Sequence, residues 1–313
     1  MVTVMVDRRS VSFDSAGHEL AGTLVIPERA RSGALLISGS GPIDRDSNAK
    51  RMKIDVMAQV ADRLAAGGIA SFRYDKRGVG DSEGDYRSSG FHDNVADARS
   101  ALTVLRGRLD DVFVVGHSEG ALIGIELAAH DPTISGIVLL AGSAQNGEDI
   151  LLWQMTNVAD SIPKPVKWLI WLLRQDLART QRKRLERIKV STDDVMRIQM
   201  IRINARWFRE FMAYEPAIAL ARVTLPVMAI TGSKDIQVDP GDLERMAVLV
   251  NGSFTPHLAA DVTHLLRTDD GPASVRTYKK QVKRPVDADV LDLVAGWIGD
   301  VAAVENGCAH ESV

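Results

Sequence analysis

Cysteine is almost missing from this chain: one residue, Cys308, stands in 313 and lies close to the C-terminal end. No intramolecular disulfide can form from it, and no companion thiolates exist to build a metal site. A strong charge of either sign is lacking too, since 38 Lys and Arg against 41 Asp and Glu leave a formal net charge of -3. Without a global positive field there is little to hold a phosphate backbone, and nucleic acid is not an expected partner. Long apolar runs are also absent. Val166–Leu173 comes nearest but is interrupted by Lys167, and it falls far short of the roughly 20 residues that cross a bilayer. Met1–Arg9 places its basic residues after its apolar ones, the reverse of a secretory signal, so a cytoplasmic location is the expectation. Neither an internal repeat nor a low-complexity tract is found.

What is present is the balance of a globular protein, 45% hydrophobic and 25% charged, enough to bury a sizeable core. Two short strands open the chain, Ser10–Phe13 and Leu20–Ile26, around the turn residues Asp14-Ser15-Ala16-Gly17. Buried apolar runs then alternate with amphipathic segments: a strand at 34–37, a helix over 49–66 ended by Gly67-Gly68, a strand at 69–74, a helix over 91–105, a strand at 111–115, a helix to about Ala129 and a strand at 136–140. Repeated strand-helix order of this kind predicts an α/β protein with a mostly parallel sheet. Between about Ala144 and Ala221 the alternation stops, and a helical, aromatic stretch with Trp153, Trp168, Trp171, Trp207, Phe208 and Phe211 reads as an insertion. The sheet resumes at 226–231, and a helix at 242–249, a strand at 254–258 and a helix at 287–301 complete the pattern.

The sharpest chemical signal is Gly116-His117-Ser118-Glu119-Gly120, set between a buried strand and a helix. A serine on such a strand-to-helix turn needs flanking glycines because the backbone is crowded and strained there, and the turn lifts the hydroxyl to the carboxyl edge of the sheet. A serine hydroxyl attacks only when a base takes its proton, so an acid and a histidine should follow in the order Ser, Asp or Glu, His. Asp235 lies just past the strand ending at Thr231 and is the candidate acid. Asp239, before Pro240, reads better as turn or cap chemistry. His264 stands in a loop after the last predicted strand and is the candidate base. Of the other histidines, His257 falls inside that strand, His117 belongs to the Ser118 turn, His310 is in the tail, and His18, His92 and His130 do not fit the required order. The tetrahedral oxyanion needs two backbone donors. The Glu119 N–H is one, and the loop Ser38-Gly39-Ser40-Gly41-Pro42 supplies the other, from Ser40 or alternatively Gly41. That loop has neither the G-x-x-x-x-G-K-S/T nor the G-x-G-x-x-G spacing of nucleotide sites, and no cofactor or metal is expected.

These motifs resemble the α/β-hydrolase family, in its bacterial esterase and serine-aminopeptidase-like branch. The resemblance rests on Gly116–Gly120, on Asp75-Lys76-Arg77-Gly78-Val79-Gly80-Asp81-Ser82, which is similar to that family's D-x-R-G-x-G-x-S loop, and on Gly39–Asp46, similar to its oxyanion loop, although Ser38-Gly39 stands where many relatives carry His-Gly. It implies an α/β-hydrolase fold: a mostly parallel central sheet with an N-terminal antiparallel hairpin, residues 1–143 and 222–305 forming the core, 144–221 a helical cap insertion over the nucleophile, and 306–313 a C-terminal tail. It implies a serine hydrolase that cleaves carboxylic esters through Ser118, Asp235 and His264 and an acyl-enzyme, acting on a small-molecule ester or related acyl substrate. An aminopeptidase or thioesterase would use the same residues. For the peptidase, Glu148 and Asp149 are the candidates to hold a substrate amine. A non-catalytic binding protein of the same fold is the alternative from another class, and the complete Ser-Asp-His set argues against it. Val166–Leu173 followed by Arg179, Arg182, Lys183, Arg184, Arg187 and Lys189 could lie on an anionic membrane, although such a run is more often a solvated helix face.

Overall fold

The computed structural model describes residues 5–160, 177–198 and 200–310. β1 (Val6–Ser15) and β2 (His18–Pro27) form an antiparallel hairpin in which Ser15 pairs with His18. Only Ala16 and Gly17 remain for the turn, both at positive φ (51° and 78°), as the twist of a two-residue hairpin demands. Both strands are longer than the alternation at Ser10–Phe13 and Leu20–Ile26 implies, because the ladder extends beyond the patterned residues.

β3 (Ser32–Ile37), β4 (Ala70–Tyr74), β5 (Asp111–His117), β6 (Gly136–Leu140), β9 (Val227–Gly232) and β10 (Phe254–Ala259) complete an eight-stranded sheet of order β1-β2-β4-β3-β5-β6-β9-β10. The β2–β4 pairing is antiparallel, and every later pairing is parallel. Each residue of β4, β5, β6 and β9 is buried, which accounts for the continuous apolar runs: helices cover both faces, as parallel sheets require. On one face lie α2 (Phe91–Arg106), α3 (Glu119–His130) and α8 (Asp242–Leu249); on the other lie α1 (Val56–Ala66) and α10 (Ala288–His310), giving two apolar clusters separated by the sheet. The strand order makes β3, β5, β6, β9 and β10 neighbours, so the loops leaving their carboxyl ends converge. That edge is where open α/β sheets bind ligands.

Three expectations differ from the structure. The helix placed over 49–66 starts at Val56; the Asn48 side chain accepts hydrogen bonds from the Ile54 and Asp55 N–H groups and donates to Asp55, holding 48–55 in a folded loop. The stretch between β6 and β9 is not wholly helical. It comprises α4 (Gly147–Asp160), α5 (Leu177–Lys189), a hairpin of β7 (Val195–Ile198) and β8 (Ile201–Asn204), α6 (Ala205–Ala213) and α7 (Pro216–Leu220). The final helix runs on to His310, into the residues expected as a tail.

Candidate active site

Ser118 sits between β5 and α3 at φ 56°, ψ -117°, a conformation that costs a non-glycine residue on the order of 1–3 kcal/mol. The glycines on either side are there for space. A Cβ on Gly116 would lie 2.1 Å from the Gly120 carbonyl oxygen, and one on Gly120 would lie 2.1 Å from that of Ile37. The strained turn is held by the Ser118 N–H donating to the Leu140 carbonyl at 2.9 Å.

His264 follows β10 and Asp235 follows β9, and the structure brings them together: Nδ1 of His264 is 2.8 Å from Oδ2 of Asp235. Both are buried. Oδ1 of Asp235 accepts from the Gln237 and Val238 N–H groups at 2.7 and 2.9 Å, so both carboxylate oxygens are engaged and the side chain is fixed. A proton on Nδ1 leaves the Nε2 lone pair of His264 available as a base. Ser118 and His264 wall the same cavity of about 240 Å³, with Gly39, Ser40, Gln237 and Tyr278. Asp239 does what its sequence context implies, accepting from Gly241 N–H and pairing with Arg245. His117 is a further support. Its Nε2 lies 2.9 Å from the His264 carbonyl oxygen, which can only accept, so that nitrogen carries the proton. Burial, with the neighbouring His264, pushes its pKa from 6.5 down to about 3, and the ring stays neutral.

The loop after β3 packs against the Ser118 turn: a Cβ on Gly39 would come within 3.3 Å of Ser118 Cβ and the His117 carbonyl. Ser40 lines the cavities on both sides of Ser118. Gly41, the alternative donor, lies at φ 99° in the same loop. Beneath this loop is a buried network that sequence reasoning missed. Lys76 donates to the Gly39 carbonyl at 2.6 Å and pairs with Glu119 Oε2 at 2.6 Å, while Glu119 Oε1 accepts from Asn94 Nδ2 at 3.1 Å and from Trp207 Nε1 at 2.5 Å. The only hint was a lysine in the variable place of the D-x-R-G motif. In the rest of that motif, Asp75 accepts from the Asp81 N–H group and from that of Arg45 in the loop after β3, Ser82 Oγ donates to the Asp75 carbonyl, Arg77 pairs with Asp97 of α2, and a Cβ on Gly80 would lie 2.1 Å from the Asp75 carboxylate.

Comparison with known proteins places the fold in a family. The signature of the family described as serine aminopeptidase, S33, an α/β-hydrolase family, covers residues 51–270. The chain belongs to that family. Among its relatives, esterase EstD of Thermotoga maritima is 26% identical over an alignment of 296 residues that covers 91% of this chain; the chain spans 66% of that esterase's length. Solved structures share the fold at low identity. Est1E of Butyrivibrio proteoclasticus with ferulic acid bound has a TM-score of 0.60 at 14% identity, covering 95% of this chain and 99% of its own. Proline iminopeptidase of Mycobacterium smegmatis has a TM-score of 0.62 at 14% identity, covering 95% and 100%.

In this S33 member, the segment between β6 and β9 reaches over Ser118. Ile150, Leu151 and Gln154 of α4 and Trp207 and Phe211 of α6 line a small cavity with Ser118, Glu119 and Ser40, and a larger one of about 740 Å³ opens beyond it between the 40–42 and 85–87 loops and β8. Trp207 and Phe211 stack at 4.6 Å, so these rings both pack the segment down and form the cavity wall; Trp168 and Trp171 lie outside the described residues. Asn204 anchors the segment, donating to the carbonyls of Tyr86 and Ser89 at 2.7 Å each and capping α6 through Trp207 N–H. Of the two candidates for holding an amine, Glu148 pairs with Lys189 at 2.5 Å and Asp149 is exposed in the first turn of α4. The basic run falls on α5, where Leu185 and Ile188 are buried and Arg182, Lys183 and Arg187 face solvent; Val166–Leu173 lies outside the described residues. No described helix is long and apolar enough to cross a membrane, and no group of three His, Cys, Asp or Glu among the described residues could hold a metal.

Proposed function

We propose that this chain is a serine hydrolase that cleaves carboxylic esters of small molecules, with Ser118 as nucleophile, His264 as general base and acid, and Asp235 as the group that orients it. The observation that carries this reading is the 2.8 Å contact of His264 Nδ1 with Asp235, behind a ring that shares its cavity with a serine held at positive φ. A protein that merely bound ligands would have no use for a strained serine and an oriented imidazole side by side. The esterase named among its relatives agrees with ester cleavage.

Ser118 Oγ attacks the acyl carbon while His264 Nε2 takes the hydroxyl proton. Charge develops on the former carbonyl oxygen, and the backbone N–H groups of Glu119 and Ser40 receive it. The carbon–oxygen bond to the alcohol then breaks, the alcohol leaving with the proton from His264. Water repeats the sequence on the acyl-enzyme: His264 takes its proton, the new carbon–oxygen bond forms, and the acid departs as Ser118 regains its hydrogen. The insertion at 144–221 acts as the cap, its α4 and α6 side chains selecting the acyl group. Hydrolysis of p-nitrophenyl acetate and butyrate by the parent, and its loss in Ser118→Ala, tests the reading; equal rates for the two proteins would refute it.

A further inference from the structure

Beside the proposed catalytic cavity lies a further, open depression of about 600 Å³ whose walls are Arg51, Met52 and Lys53 on one side and Arg276, Lys279, Lys280, Val282 and Lys283 on the other. Six of the eight lining residues are cationic and none is acidic. The chain's net charge is -3, so this concentration is local and does not reflect a basic composition. Among the described residues, Lys53 pairs with Asp55 at 3.2 Å, whereas the other five make no ion pair with a carboxylate. Crowding like charges around one hollow raises the energy of the empty protein, and an anion bound there relieves it.

The two hollows share a wall. Met52 lines both. Tyr278, first residue of the short helix α9 (Tyr278–Gln281), faces the catalytic cavity with its hydroxyl 3.0 Å from Gln237 Nε2, and the next two residues, Lys279 and Lys280, face the groove. His264 also lines the cavity on this side, while the cap-side cavity has Ser118 and Glu119 but not His264. In the reaction proposed above, His264 delivers its proton to the departing group, so the leaving group lies on the side of the basic groove.

We propose that the groove binds phosphate carried on the leaving group of the substrate, making the preferred substrate an acyl ester or thioester of a phosphorylated alcohol or thiol. This rests on the hydrolase reading above for the direction of the leaving group, though not for the groove itself. Lysine and arginine together suit a multiply charged phosphate, the lysines as point charges and the arginines as forks. A nucleic acid is disfavoured because no aromatic side chain lines the groove for bases to stack on. A membrane surface is disfavoured because the only apolar residues of the groove, Met52 and Val282, are half-buried and do not form a projecting anchor.

The test separates the groove from the chemistry. Full-length Ser118→Ala protein is titrated calorimetrically with coenzyme A, with pantetheine, which lacks its phosphates, and with pyrophosphate, and the same titrations are repeated in a Lys279→Gln/Lys280→Gln/Lys283→Gln background whose circular dichroism matches the parent. Coenzyme A should bind at least tenfold more tightly than pantetheine, and the triple change should weaken it about tenfold or more. In the active protein, the ratio of kcat/KM for acetyl-coenzyme A to that for S-acetyl-N-acetylcysteamine should fall by a similar factor in the triple variant. If p-nitrophenyl esters are cleaved but coenzyme A and pyrophosphate do not bind, the groove assignment is wrong and the hydrolase reading stands. Groove-dependent binding without cleavage of any ester would leave the groove and remove the hydrolase. Flotation with phosphatidylglycerol vesicles, with neither soluble phosphate bound, would overturn the proposal in favour of a lipid surface.

Discussion

Lys76 and Glu119 lie 43 residues apart in sequence and meet in the interior at 2.6 Å, the lysine holding the Gly39 carbonyl of the loop after β3 and the glutamate holding Trp207 of the segment between β6 and β9. Both are almost wholly buried. Glu119 is also the residue whose N–H is proposed to face the oxyanion, so this pair joins the nucleophile turn, the second donor loop and the cap at one point.

Removing one member of such a pair strands the other charge. Lys76→Met should lower stability by about 3–5 kcal/mol, and Lys76→Met/Glu119→Leu should cost less than the two single changes added together. In the folded fraction, loss of the Gly39 contact loosens the Ser40 donor, so kcat should drop about tenfold or more with KM little changed. Urea melts and steady-state kinetics on the four proteins check both.

Ser118 carries a conformation suited to glycine. Ser118→Gly should therefore be more stable than the parent, by about 1 kcal/mol, while esterase activity disappears. Opposite movements of the urea midpoint and kcat are the expected outcome; a destabilised Ser118→Gly protein would contradict the strain at φ 56°.

Asp235 and Asp239 are four residues apart and differ in what they touch. Asp235→Asn should cost roughly 10⁴ in kcat, because an amide opposite Nδ1 no longer favours the tautomer with a free Nε2. Asp239→Asn, which weakens only the Arg245 pair, should leave kcat close to the parent value.

His117 links stability to pH. Its pKa falls from 6.5 to about 3 on folding, so between those values the unfolded chain binds a proton that the folded chain does not. The contribution is fully present above pH 6.5 and is lost as pH falls toward 3, with a slope of at most about 1.4 kcal/mol per pH unit. His117→Gln should flatten this slope; urea melts of both proteins at pH 5 and pH 8 measure it.

Much of this was legible in the sequence, and the reasons are local. Period-two and buried apolar runs marked the strands because each residue of β4 to β6 is enclosed on both faces, and Gly116 and Gly120 marked the turn because their Cβ positions are taken by backbone. The misses are of two kinds. The hairpin β7–β8 had its own signal, Val195-Met196-Arg197-Ile198 and Ile201-Arg202-Ile203-Asn204, outweighed by the helical pattern around it. Lys76 could not be read as buried at all: lysine is among the residues least often inside, and its partners come from α3 and from the loop after β3, so only the fold reveals that its charge is met. The late start of α1 has the same origin, a single side chain, Asn48, capturing backbone N–H groups that periodicity assigns to a helix.

The most direct measurement of the central claim is labelling with a fluorophosphonate followed by mass spectrometry of the peptides. An activated serine should be modified stoichiometrically at Ser118, and His264→Ala and Asp235→Asn should slow the labelling by orders of magnitude while the fold is kept. An unlabelled folded protein, or an adduct on any other serine with Ser118 untouched, would contradict the account.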